Sequence, residues 1–443
     1  MMFGYYVQLG LRSLKRNPWL TALMVMAIGF GVAASMITYS VFRAVSGNPI
    51  PEKSERLLVP QLDNWGPQHV RSQGEPPEAL TYTDASALWK ARQAKMQTIF
   101  YEVTLSVIPE HGGSALPFNA SGYATTGDFF SMFDVPFIYG SGWSLADDEG
   151  HADVAVIGRS LNERLFQGAN SVGRQINMRG HSYRIVGVTD HWDPKPRYFD
   201  LFSMFTVNGI GDASEIYVPF NKAIDLKLDT SGRNSCGGAA TLNSGWDGWL
   251  RGECVWISMW VQLDTPAQIE RYREYLHNYA EQMHTSGRFQ WSPKIRLRNV
   301  TEWLDYEKVV PPESRISMIV ALGFFAICLI NTVGLLLAKF MRRAPEIGVR
   351  RALGASRREV YLQFLIEAGT VGLAGGLLGV LLTTVGMFGV GLIFEPQIAK
   401  LAHLDLSLVA LTIGVAVFAT IVAAFYPTWK AAQVQPAWQL KSN

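Results

Sequence analysis

The sequence predicts a membrane protein with four transmembrane α-helices and one large α/β domain between the first and second spans. Three observations predict it. Four stretches, 17–42, 316–338, 368–394 and 406–429, carry no Asp, Glu, Lys or Arg, and about 20 apolar residues suffice to cross a bilayer. Between the first two lie more than 270 residues with the charge, turn and strand signals of a water-exposed protein. The positive residues are also segregated, so the net charge of +2 and the 48% hydrophobic content say little by themselves.

Taken in order, residues 1–16 place Tyr6, Val7, Leu11 and Leu14 on one helical face and Arg12, Lys15 and Arg16 away from it. That pattern predicts an interfacial amphipathic helix. Asn17-Pro18 then supplies an N-cap and a first-turn proline for span one, 17–42. The charge-free run is 26 residues, well beyond the roughly 7–15 of a signal-peptide core, so it reads as a retained anchor. Spans two, three and four are expected at 315–338, 360–394 and 406–429, with a short loop at 395–405 and a tail at 430–443. Lys339, Arg342, Arg343, Arg350, Arg351, Arg357 and Arg358 fill the 339–359 connection, whereas 395–405 offers only Lys400. By the positive-inside rule the N-terminus, the 339–359 connection and the tail with Lys430 and Lys441 are cytoplasmic, and the large domain is exported. A short basic cluster between two spans is not a nucleic-acid site.

The exported region, 43–314, reads as strand–helix–strand twice. The first unit is 56–62, 83–92 and 98–107; the second is 255–263, 266–283 and 294–298. Two such units, here 50–110 and 255–312, commonly form one split α/β sandwich. The insert between them, 111–254, carries a strand at 153–158, a helix at 161–166 and a hairpin of 174–178 and 182–188 around Arg179-Gly180. Residues 229–254 form a Gly-rich loop. Cys236 and Cys254 lie in the exported region, where an oxidising compartment would let them pair rather than remain free thiols. Closing a loop of that length stabilises by about 3 kcal/mol in the chain-entropy picture. Cys328, inside span two, is a small packing residue.

Residues 343–367 read Arg-Ala-Pro-Glu-Ile-Gly-Val-Arg-Arg-Ala-Leu-Gly-Ala-Ser-Arg-Arg-Glu-Val-Tyr-Leu-Gln-Phe-Leu-Ile-Glu. This segment, the Gly-rich third span and the terminal Tyr426-Pro427-Thr428-Trp429-Lys430-Ala431-Ala432 resemble the FtsX-like permease domain. Asn162–Val188, with Leu165-Phe166, Val172-Gly173 and Val186-Gly187-Val188, resembles the periplasmic core domain of MacB-type permeases. The resemblance implies an ABC transporter permease of the bacterial inner membrane. It implies a second permease subunit, identical or related, a cytoplasmic ABC ATPase, and mechanical work passed to a periplasmic domain with a porter-like part and an inserted lobe.

The 339–359 connection is the candidate contact with that ATPase, through Pro345, Glu346, Gly348, Arg350, Arg351, Leu353 and Gly354. Pro345 suits a first helical turn, Glu346 meets the positive end of the helix dipole, and Gly354 stops the helix. Glu346 and Arg350 are spaced as an i,i+4 pair and are expected on the presented face. Ser356 and Glu359 form a capping box that starts span three. A stiff helix joined directly to a span is what transmission of force requires. In span three, Gly372/Gly376 and Gly375/Gly379 are small-xxx-small pairs for close helix packing, within the chain or across a dimer. Glu367 falls near the inner end of that span, where a carboxylate needs a partner or interfacial water.

No G-x-x-x-x-G-K-[ST] is present, and Gly237-Gly238 lacks a following Lys, so ATP and Mg2+ are expected on the partner and no cofactor on this chain. No H-E-x-x-H or G-x-S-x-G occurs, so no catalytic residues are assigned. Asp190-His191-Trp192-Asp193 projects its side chains divergently and is not read as a metal site. Asp147-Asp148-Glu149 reads as a solvated turn. The expected function is that of a non-catalytic permease subunit for efflux, working with a periplasmic adaptor and an outer-membrane channel, in contact with membrane lipids. Lipoprotein extraction and regulation of cell-wall hydrolases are the alternatives within the class. A membrane-anchored sensor is the alternative outside it, disfavoured by a tail of only 13 residues after Lys430.

Overall fold

The computed structural model describes residues 17–66, 74–109, 116–202, 213–236, 245–292, 294–310, 312–393 and 406–432. The chain forms two compact units, an α/β unit over 47–309 and a helical unit from the flanking segments. The expected amphipathic helix at 1–16, the loop at 395–405, Gly237-Gly238 and the end of the tail lie outside the described residues.

In chain order, helix α1 (Pro18–Ser46) precedes strand β1 (Leu57–Leu62), helix α2 (Tyr82–Ala91) and the long strand β2 (Met96–Ile108). Next come β3 (Phe118–Thr125), α3 (Asp128–Met132), β4 (Phe137–Gly140), α4 (Leu145–Glu149), β5 (Val154–Gly158) and α5 (Arg159–Phe166). Strands β6 (Gln175–Met178), β7 (His181–Thr189) and β8 (Ile216–Pro219) lead to α6 (Phe220–Asp225), β9 (Ser235–Cys236), α7 (Gly245–Leu250) and β10 (Cys254–Val255). Then follow β11 (Ser258–Gln262), α8 (Pro266–Thr285), β12 (Ile295–Asn299) and α9 (Val300–Tyr306). The remaining helices are α10 (Pro312–Met341), α11 (Ala344–Ala352), α12 (Arg357–Ile393) and α13 (Leu406–Ala432).

Local chemistry explains the boundaries in the α/β unit. Thr81 Oγ1 accepts from Asp84 N at 3.1 Å and so opens α2. Thr265 and Gln268 form a reciprocal capping box ahead of Pro266, which opens α8. The turn between β6 and β7 uses positive φ at both Arg179 (51°) and Gly180 (84°), as a tight hairpin requires.

Strands β12-β1-β11-β2 lie in that order, all antiparallel, which is the arrangement of two interleaved strand–helix–strand units. Apart from the short β9–β10 pair, the described strands of the insert join the same sheet. Strand β2 runs past the split sandwich and pairs with β3, and the sheet continues through β8, β5, β7 and β4. Strand β6 pairs with both β7 and β2 (Val107 opposite Met178), so β2, β3, β8, β5, β7 and β6 close into a ring. The expected lobe at 111–254 is therefore continuous with the porter-like half through one shared strand.

Successive residues of a strand point to opposite faces, and here both faces are covered. Ala155 and Ile157 enter the core beneath α2 and α8, while Val154 and Val156 enter a second, aromatic core. Phe100 lies at the centre of that second core, met edge-on by Tyr123, Phe129 and Phe199 at 5.4–6.0 Å. Cys236 and Cys254 face each other across β9–β10 and form a disulfide.

In the helical unit, α1, α10, α12 and α13 are each long and apolar enough to cross a membrane. Helix α1 packs on α10 and α12, and α13 packs on α12 and α10. Ser35 Oγ lies within donating distance of both Gly31 O, one turn back at 3.0 Å, and Ala321 O of α10 at 3.2 Å. Buried Thr332, Thr383, Thr412 and Thr420 donate to the carbonyl one turn back, at 2.6–2.8 Å. Cys328 is a buried free thiol packed beside Gly31.

Candidate functional site

The corner between α10 and α12 is built from very few residues. Helix α10 ends at Met341, and after two intervening residues α11 begins, with Pro345 in its first turn and Glu346 beside it. Arg350 and Arg351 occupy the last turn, where cations meet the negative end of the dipole. Gly354 follows at φ +102°, a conformation open to glycine and strained for other residues. Ser356 N then donates to Glu359 Oε2 at 2.9 Å, and Glu359 N donates to Ser356 Oγ at 3.2 Å, so a complete capping box starts α12.

The inner face of α11 is apolar. Ile347 and Gly348 are buried, and Ile347 belongs to the core formed with Phe340, Val360 and Phe364. The Phe340 and Phe364 rings lie 4.3 Å apart. A ladder of charge runs beside this core. Lys339 Nζ lies 2.9 Å from Glu367 Oε1, as an ion pair without hydrogen-bond alignment. Arg343 donates to Glu367 Oε2 at 2.7 Å and to Glu346 Oε2 at 3.4 Å. Arg350 donates to Glu346 Oε1 at 2.9 Å and to Gln363 Oε1 at 3.1 Å.

This geometry places the expected contact residues on two sides of α11. Glu346 and Arg350 form the i,i+4 pair, half-buried and tied also to Arg343 and Gln363. More exposed is an i,i+4,i+8 stripe: Pro345, Val349 (56% exposed) and Leu353 (83% exposed). Exposed Arg342, Arg357 and Arg358 flank it, and Arg351 is half-buried. Pro345 and Leu353 are among the expected contact residues; Val349, which completes their i,i+4,i+8 spacing, is not.

The glycines of α12 divide between two neighbours inside the chain. A Cβ on Gly372 would stand 2.9 Å from Val417 Cα, and one on Gly376 would stand 3.2 Å from Ile413 Cα, both on α13. A Cβ on Gly375 would meet Ile28 Cγ2 at 2.7 Å, and one on Gly379 would meet Val32 Cγ1 at 3.4 Å, both on α1. Of the two expected alternatives for Glu367 the structure shows partners: it is buried between Lys339 and Arg343.

Residues 21–279 match the family model described as a MacB-like periplasmic core domain, and residues 318–436 match the FtsX-like permease C-terminal domain. The chain belongs to the MacB/FtsX-like ABC transporter permease family. It is 23% identical over 444 residues to the pyoverdine export ATP-binding/permease protein PvdT of Pseudomonas syringae pv. syringae (strain B728a), covering 96% of this chain and 58% of that protein. It is 24% identical over 440 residues to the macrolide export ATP-binding/permease protein MacB of Marinobacter nauticus (strain ATCC 700491 / DSM 11845 / VT8), covering 98% and 60%. The chain thus spans about three fifths of the length of these curated relatives. Among solved structures, the periplasmic region of MacB from Actinobacillus actinomycetemcomitans aligns with 15% identity and a TM-score of 0.36, over 58% of this chain and 94% of that one.

Two other sequence candidates of this permease take different roles in the structure. Asp148 is not solvated. It is buried, its Oδ1 accepts from Trp143 Nε1 at 2.7 Å, and its Oδ2 accepts from Gly127 N at 2.8 Å. Burial pushes its carboxyl up to about 7, against those two hydrogen bonds. Its neighbour Asp147 caps α4 through Ser144, which lowers its own carboxyl. The 190–193 run disperses: Asp190 pairs with Arg159, Asp193 with Lys195 and Arg197, and Trp192 stacks on Phe199. Among the described residues no three His, Cys, Asp or Glu gather as a metal set.

Proposed function

We propose that the chain is the membrane subunit of an ABC exporter whose ATPase, absent from this sequence, docks on α11. Closure of the ATPase, which binds the ATP and Mg2+, pushes α11. The spans move as rigid rods, and the α/β domain closes on cargo or on a periplasmic adaptor that leads to an outer-membrane channel. Two permease subunits work as a pair around the ATPases. Four helices are few to enclose a channel, so the cargo does not cross the membrane through this subunit. The orientation has both termini and α11 in the cytoplasm, supported by the arginines around α11. Relatives named for pyoverdine and macrolide export support a small-molecule cargo.

The observation that carries this reading is the outward apolar stripe on a capped, braced helix. A solvated connection between two spans has no reason to expose Val349 and Leu353 on one line while burying Ile347 behind it, and an apolar line rimmed by cations is a docking surface. Co-purification tests it. Val349→Asp and Leu353→Asp each put an unpaired charge on the stripe and are expected to cut the recovered ATPase at least tenfold, whereas Leu353→Met leaves it unchanged. Wild-type recovery and transport in both Asp variants would remove α11 as the contact.

A further inference from the structure

We propose that Glu367 is a positioning residue for coupling: its one carboxylate ties the end of α10 and the start of α11 to α12, so that a push on α11 moves α10 and α12 as one body. The proposal rests on the reading of α11 as the ATPase contact and adds the joint behind it. Three elements converge there. Lys339 comes from α10, Arg343 from the corner, and Glu367 from the third turn of α12; their side chains are 1%, 12% and 3% exposed.

Glu367 and Arg343 each bridge two others. Glu367 takes Lys339 on one oxygen and Arg343 on the other. Arg343 uses Nε for Glu346 and a terminal nitrogen for Glu367, two separate donors held at a fixed spacing by the planar guanidinium. Arg350 repeats the device at the far end of α11, holding Glu346 and reaching Gln363 on α12. Helix α11 is therefore fastened to α12 at both of its ends and to α10 through the shared carboxylate.

Packing alone does not ask for these charges. Ile347, Phe340 and Phe364 already seal the corner, and a buried ion pair adds little stability beyond what apolar side chains of similar size would give. A buried ladder does fix register, because a displaced helix leaves a charge unpaired in a low-dielectric place. Holding register under load is the task of a joint.

The test uses the full-length permease reconstituted with its co-purified ATPase, and three variants. Arg343→Lys keeps the charge but replaces two fixed donor nitrogens with one mobile one. Glu367→Gln keeps the shape but frees both cations, and Lys339→Arg keeps the ion pair. The first two are expected to lower transport per ATP hydrolysed about tenfold while ATPase recovery stays within twofold; Lys339→Arg is expected to stay within threefold of the parent. In parallel, spin labels at Val349→Cys and Leu373→Cys in a Cys328→Ala background report the α11–α12 distance without any ATPase. A single narrow distance is expected in the parent and a broadened one in Glu367→Gln and Arg343→Lys. Should Glu367→Gln fail to accumulate, Arg343→Lys decides alone. Unchanged distance and unchanged coupling in well-expressed variants would overturn the joint. If no ATPase accompanies the parent protein, the docking reading falls and the spin-label distance still decides this one.

Discussion

Gly372 of α12 and Val417 of α13 are in backbone contact: a Cβ added to the glycine would come within 2.9 Å of Val417 Cα and 3.0 Å of Ala416 O. Backbone cannot rotate away as a side chain can. Gly372→Ala should therefore force α12 and α13 apart and cost about 1–3 kcal/mol, read as lower yield and a lower melting temperature in detergent. Gly323 on α10 is the control, because nothing stands within 4 Å of its added Cβ. Equal behaviour of Gly372→Ala and Gly323→Ala would refute this packing.

The Cys236–Cys254 bridge predicts a thiol count. Alkylation of denatured, unreduced protein should modify Cys328 alone, and prior reduction should raise the number to three. Breaking the bridge with Cys236→Ser frees a loop of 18 residues' separation, worth about 3 kcal/mol in the chain-entropy picture. The α/β unit should then unfold at lower temperature. Three modified cysteines without reductant would contradict the bridge.

A pH dependence follows from Glu307, just past the end of α9. Burial pushes its carboxyl up to about 8, and the Glu78 carboxylate pushes in the same direction against Arg233 and Arg298. Its Oε1 is buried without a hydrogen-bond partner, as is Glu78 Oε2. A carboxyl raised above its ordinary 4.5 contributes stability that is fully present below 4.5 and lost as pH rises through about 8. Glu307→Gln keeps the shape and removes the titration. Its melting temperature should match the parent at pH 5 and exceed it by roughly 3 °C or more at pH 9. Parallel curves for parent and variant would rule this out.

The spans, the α11 helix and the Ser356–Glu359 box were legible because each depends on near neighbours: charge-free runs, a proline start, a cap three residues away. The halves of the split sandwich were legible for the same reason, through helix start signals and alternating strands, although the cap of α2 is Thr81, two residues ahead of the expected start at 83. Closure of the six-strand ring was not, because it rests on Val107 meeting Met178, a register that no local pattern encodes. Asp148 was misread since an acidic triplet looks solvated, and nothing nearby announces that Trp143 Nε1 and Gly127 N converge on it. For Glu367 the signal was present: a carboxylate beside an apolar run needs a partner. The run's charged neighbours at the end of α10 were the place to look.

The shortness of the link between α11 and α12 yields the most demanding prediction. Gly354 N donates to Arg351 O and Ala355 N to Arg350 O, at 3.1 and 3.0 Å, so the helix end is wound directly into the turn. Two residues later Ser356 and Glu359 have already capped α12. Two glycines inserted after Gly354 leave the outward stripe of Pro345, Val349 and Leu353 untouched and keep both caps. They add up to about 7 Å of slack chain, enough for α11 to yield without moving α12. ATPase recovery should stay within twofold of the parent while transport falls at least tenfold. Leu353→Asp should do the reverse, losing the ATPase first. That opposite pattern separates a lost grip from a lost linkage, and retention of transport by the glycine insertion would show that force reaches the helices by another route.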